Sequence, residues 1–148
     1  MAIGIRVHKK FSSQVKRARL KRAASRALNA EKYRGARSVS IYVATDSEIR
    51  LLNRKFHATN AVTDVLSFPT RRRRDESATR LYLGDIVISY DRARVQARQA
   101  GWRIADELDL LIVHGVLHLL GYDDLTLRKR AKMWKRQEEI LGRKLAVS

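Results

Sequence analysis

His114 and His118 stand four residues apart in the longest apolar stretch of the chain, residues 110–120. On a helix, that spacing stacks both imidazoles on one face with Cβ atoms ~5–6 Å apart, close enough to hold one metal ion. Gly121 is placed to end such a helix, and the chain then turns through Tyr122, Asp123 and Asp124. A turn there can swing a carboxylate back over the two rings. Asp124 is the residue placed to do so, which completes an H-x3-H-x5-D pattern. Zinc accepts imidazole nitrogen and carboxylate oxygen, and three protein ligands leave a fourth position for water, as in catalytic rather than structural sites. Two plainer readings stand beside this one. A histidine pair on an apolar helix can simply be buried and hydrogen-bonded, and either Asp123 or Asp124 can cap a helix that starts at Leu125. Peptide hydrolysis of the H-E-x-x-H type is disfavoured, because the position of its general base is Gly115.

The elements that must position these side chains follow from patterning. Residues 103–120 predict the central helix, with Asp106, Glu107 and Asp109 suited to the positive end of its dipole. Its second half is apolar nearly all round and should be buried. Residues 12–28 predict a helix with Leu20, Ala24, Ala27 and Leu28 on one face. Thr45-Asp-Ser-Glu48 reads as a capping box for a helix carrying Ile49, Leu52 and Phe56. Residues 91–100 predict a basic helix closed by Gly101, and residues 125–141 a last helix with Leu127, Ala131, Trp134 and Leu141 inward. Strands are expected over residues 3–7, 39–43, 64–68 and 83–89, the third ended by Pro69, with a polar loop over residues 70–80. The fold class expected is α+β: a single domain over residues 1–148, with a small mixed β-sheet packed against helices and the metal motif on a buried central helix.

Composition narrows the function. Lys and Arg number 32 against 15 Asp and Glu, a net charge of +17. Residues 1–40 hold 12 basic residues and one acidic, and residues 125–148 hold eight and two, whereas residues 103–124 carry a net −4. A basic surface of this kind attracts polyanions, of which nucleic acid is the largest cytosolic class. The absence of cysteine excludes a disulfide framework, a thiolate metal site and a cysteine nucleophile. No apolar run approaches the ~20 residues a membrane span needs. The first residues lack the charged and apolar regions of a signal peptide, so a cytoplasmic location and no membrane partner are expected. Tyr122 is a candidate stacking platform for a base, with core packing the plainer alternative.

The stretch His114-Gly-Val-Leu-His118-Leu-Leu-Gly-Tyr-Asp-Asp124 resembles the H-G-x-L-H-L-x-G-Y-D-H signature of the YbeY family, bacterial single-strand-specific endoribonucleases that mature ribosomal RNA. Thr63-Asp-Val-Leu-Ser-Phe-Pro69 and Leu83-Gly-Asp-Ile-Val-Ile-Ser89 are similar to two further blocks of that family, in the same order. The resemblance implies a zinc-dependent endoribonuclease, with one Zn2+ per chain held by His114, His118 and Asp124 as the catalytic centre. It also implies single-stranded RNA, precursor rRNA and the small ribosomal subunit as partners, with a role in ribosome quality control. Two positions depart from the pattern. Asp124 stands where the third ligand is normally His, which lowers the net charge of the site and makes bound water less acidic. His57 follows Leu52-Asn53-Arg54-Lys55-Phe56 where the family usually has a phosphate-contacting Arg. A mostly neutral imidazole is a poorer phosphate clamp than a guanidinium. His57 and Arg71, Arg72, Arg73 and Arg74 are the expected substrate-binding residues. The departures favour one alternative: a non-catalytic RNA-binding ribosome-assembly factor with a structural metal site.

Overall fold

A computed structural model of the chain describes residues 2–31, 37–57, 63–70 and 81–145. Four strands form one mixed sheet in the order β1 (Ala2–Val7), β2 (Arg37–Ala44), β4 (Leu81–Ser89), β3 (Val65–Pro69). β1, β2 and β4 run parallel, and β3 runs antiparallel to β4. The five helices are α1 (Arg17–Ala30), α2 (Asp46–His57), α3 (Tyr90–Ala100), α4 (Ile104–Leu119) and α5 (Leu127–Leu141). The α+β expectation holds.

Strand alternation sorts the two faces of the sheet. Val39, Ile41 and Val43 of β2 and Ile86 and Ile88 of β4 join the main core with Leu20, Leu28, Ile112 and Leu117 of the helices. The intervening Val87 joins Ala44, Leu66 and Ile49 in a second cluster under α2. The acidic start of α4 is held by Arg19, whose Nη2 lies 2.8 Å from Asp109 Oδ2 and 2.9 Å from Asp106 Oδ1. The capping box of α2 forms reciprocally: Glu48 N–H donates to Thr45 Oγ1 at 3.2 Å, and Thr45 N–H donates to Glu48 Oε1 at 3.1 Å.

Two glycines set how closely α4 approaches the sheet. A Cβ at Gly115 would lie 2.8 Å from Ile86 Cγ2, so a residue without a side chain is what lets the histidine-bearing turn press on β4. Gly84 sits at φ +143° beside a register shift in the β2–β4 ladder, and a Cβ there would clash with the Phe68 carbonyl oxygen.

Three expectations shift. The first helix begins at Arg17, not residue 12. His8 caps a short 3-10 turn over Lys9–Phe11, which turns Phe11 inward to stack on Tyr90 at 4.3 Å, so packing overrides the helical period there. Phe56 does not join the buried face of α2; it is 57% exposed, tilted against Phe68. The buried face of α5 consists of Met133, Gln137 and Ile140, while Leu127 is 79% exposed and Ala131 exposed. Trp134 and Leu141 are half-buried at the edge of that face. The hydrophobic pattern misplaces it by one residue because a polar side chain, Gln137, is turned inward for a reason that lies on α4. Most of the expected loop, residues 71–80, lies outside the described residues.

Candidate metal centre

His114 and His118 project from the last turns of α4, their ring centroids 4.5 Å apart and their planes at 77°. Each ring is fixed from behind. His114 Nδ1 lies 2.6 Å from Oε1 of Gln137, a residue 2% exposed on α5. His118 Nδ1 lies 2.9 Å from the Tyr122 carbonyl oxygen. Carbonyl and amide oxygens only accept, so both Nδ1 atoms carry the proton and both Nε2 atoms present a lone pair. Those two Nε2 atoms face each other at 3.0 Å. Two lone pairs at that distance repel unless a cation is shared between them. Burial pushes the His114 pKa down against the opposing pull of its Gln137 hydrogen bond, which favours the neutral ring that a metal requires.

The turn after α4 supplies the third group. Gly121 takes φ +104°, and Tyr122 N–H donates to the Leu117 carbonyl oxygen at 3.0 Å, which reverses the chain toward the rings. Ligand atoms of His114, His118 and Asp124 all lie within 4.8 Å of one another. The two aspartates have separate work. Asp123 Oδ1 accepts the Leu125 N–H at 3.0 Å and Oδ2 pairs with Lys129 Nζ at 3.3 Å. These contacts, the Leu125 N–H foremost, hold its carboxyl below the usual range. The Asp124 carboxylate is exposed and accepts no hydrogen bond among the described residues. Neither aspartate caps α5, because Thr126 does: its Oγ1 accepts the Lys129 N–H at 3.1 Å, and the helix starts two residues later than expected. The donor set, two neutral imidazoles and one unengaged carboxylate, fits a divalent ion such as zinc.

Tyr122 belongs to the packing. Its hydroxyl donates to Glu31 at the end of α1, 3.2 Å from either carboxylate oxygen, and Arg136 Nε reaches the same carboxylate at 2.7 Å. The turn that carries Asp124 is thereby tied to α1 and α5 together. Gln137, Glu31 and Arg136 escape sequence reasoning, because their roles depend on helices meeting across more than twenty residues of chain. For Gln137 the available signal was its place one turn from Met133 and Ile140 on a single helical stripe.

His57 is the last residue of α2. Its side chain, together with Arg71, Arg72, Arg73 and Arg74, lies outside the described residues. Arg128, Lys129, Arg130 and Lys132 are exposed on the α5 turns that follow Asp124. No helix among the described residues is long and apolar enough to cross a membrane.

Residues 5–144 match the family model described as Endoribonuclease YbeY. The chain is 47% identical over 108 residues to the Endoribonuclease YbeY of Chloroflexus aggregans, covering 70% of this chain and 71% of that one. It is 37% identical over 146 residues to the protein of the same name from Roseiflexus castenholzii, covering 95% and 91%. The solution structure of TM1509 from Thermotoga maritima superposes with a TM-score of 0.63 at 26% identity, over 94% of this chain and 86% of that one.

Proposed function

The chain belongs to the YbeY endoribonuclease family, and on that premise we propose that residues 1–148 act as one catalytic domain in which His114, His118 and Asp124 hold a single Zn2+ for cleavage of single-stranded RNA. The protein is an endoribonuclease, a hydrolase of the rRNA-processing class. The observation that carries the metal assignment is the pair of Nε2 lone pairs facing each other at 3.0 Å, each ring locked through its Nδ1.

When bound, such an ion supplies Lewis acidity, activating water and polarising a phosphoryl oxygen. Gln137 and the Tyr122 carbonyl hold the two rings in one tautomer and one orientation. Gly121 and the Tyr122–Glu31–Arg136 contacts keep the turn that presents Asp124 in place. Arg128, Lys129, Arg130 and Lys132 lie next in the chain and offer positive charge to the RNA backbone beside the site. His57 and Arg71, Arg72, Arg73 and Arg74 are proposed as further phosphate contacts. The location proposed is the cytoplasm, and the substrate proposed is precursor rRNA on or near the small ribosomal subunit.

The test compares an unstructured RNA with a duplex of the same sequence, each with and without chelator. Cleavage of the single strand alone, abolished by chelation, is expected. Binding of both RNAs without cleavage of either would support the assembly-factor alternative. In the same assay His57→Arg should raise the rate at neutral pH, because a forked guanidinium makes charge-assisted phosphate bonds that neutral imidazole does not. An equal rate would remove His57 from the phosphate path.

A further inference from the structure

On the Gln137 side of the metal centre, a cleft of about 600 Å³ opens between α3, α4 and α5. His114 forms part of its wall, so whatever enters it lies against a metal-ligand ring. The chain carries a net +17, yet the side chains lining this cleft include Asp64 and Glu107 and no Lys or Arg among the described residues, Arg143 lying behind the wall 4.9 Å over the Trp102 ring. Two carboxylates repel a phosphate, so the RNA backbone is not what fits. An uncharged, flat group that offers N–H donors does fit.

The walls match such a group. Trp102 and Trp134, the two tryptophans of the chain, both line the cleft. The Trp102 indole N–H is engaged, donating to Glu107 Oε1 at 2.9 Å. The Trp134 indole N–H is buried behind the cleft wall, with no hydrogen-bond partner among the described residues, so the side chain offers the cleft its ring rather than its donor. Asp64 Oδ2 accepts one amide N–H from Gln96 at 3.3 Å and retains lone pairs for another donor. A nucleobase offers an apolar π-face to the indole-lined wall and amino or imino N–H groups to the Asp64 carboxylate.

We propose that this cleft is a nucleobase pocket, which takes a base adjacent to the scissile phosphate and gives the enzyme a base preference at that position. The proposal builds on the endonuclease reading above, and its primary test does not depend on cleavage. Because both tryptophans line the cleft, fluorescence excited selectively at tryptophan, and not at the five tyrosines, reports on it. The protein is titrated with guanosine, adenosine, uridine and cytidine, with ribose 5-phosphate as control and free tryptophan as the absorbance correction. Saturable quenching by at least one nucleoside and none by ribose 5-phosphate is expected. Asp64→Asn should weaken that nucleoside about three- to tenfold, the fold-change of one net hydrogen bond. No quenching by any of the four, or quenching unaltered in strength by both Trp134→Phe and Asp64→Asn, would overturn the proposal. Cleavage of a randomised single-stranded RNA supplies the second readout, a biased base beside the cut that flattens in Asp64→Asn. Quenching without any cleavage would support the pocket while removing the endonuclease reading. Cleavage with neither bias nor quenching would remove the pocket alone.

Discussion

Two histidines four residues apart can share a metal ion only when both rings are held in one orientation, and here Gln137 and the Tyr122 carbonyl hold them. Truncating the former isolates its contribution. Gln137→Leu keeps the volume but leaves the buried Nδ1–H of His114 without an acceptor, which should cost roughly 10–100-fold in zinc affinity, read by competition with a chelating dye. Unchanged affinity would mean that the α4 backbone alone orients the ring. The two aspartates make opposite predictions. Asp124→Ala should lose most of its metal by elemental analysis, whereas Asp123→Ala should retain it, because the Asp123 carboxylate is spent on Leu125 N–H and Lys129. At this scale the convergence of His114, His118 and Asp124 was legible in the sequence, since helical spacing and one glycine turn suffice to bring them together. Gln137 was not, because its place on the Met133–Ile140 stripe marks it as buried but does not say which side chain of another helix it meets.

Among the elements, α4 decides the architecture, and its closest approach to β4 is set by Gly115. Gly115→Ala forces a Cβ against Ile86, a fully buried β-branched residue with little freedom to retreat. The expected cost is about 1–3 kcal/mol, seen as a Tm lower by about 2–4 °C per kcal/mol. A Tm equal to that of the parent would show that β4 can yield at this point. Glu107, near the start of α4, gives a pH-dependent signature. Burial raises its pKa above the usual 4.5, so the folded state binds the proton more tightly than the unfolded chain. Stability therefore falls as pH rises from about the unfolded value through the higher folded one, and the loss persists at neutral pH. Glu107→Gln preserves an acceptor for the Trp102 N–H and removes that loss. It should melt higher than the parent at pH 7 and no higher at pH 4; a lower Tm at pH 7 would mean the carboxylate is stabilised by its surroundings. Strand and helix types were readable from period and capping signals. The start of α1 and the phase of α5 were not, since Phe11 stacking on Tyr90 and Gln137 meeting His114 are contacts between distant elements.

For the molecule as a whole, the sequence showed the charge and the α+β class, because both are sums over many residues and tolerate local errors. It did not show that positive charge is withheld from the cleft beside His114, which emerges only when α3, α4 and α5 are brought together. The basic surface makes RNA binding salt-dependent. Neutralising Arg71, Arg72, Arg73 and Arg74 together should weaken binding and flatten its dependence on salt, by ~0.7 in slope for each phosphate of a single strand that is no longer neutralised. An unchanged slope would assign phosphate binding elsewhere, with Arg128, Lys129, Arg130 and Lys132 the next to test. The central claim is that one ion, held by His114, His118 and Asp124, is required for cutting RNA. Its most direct measurement is single-turnover cleavage of an unstructured RNA by metal-free protein as zinc is added in increments. The rate should rise linearly and level off at one equivalent, and Asp124→Ala should stay flat over the same range. Cleavage at full rate before any zinc is added, or zinc uptake to one equivalent with no cleavage at all, would contradict it.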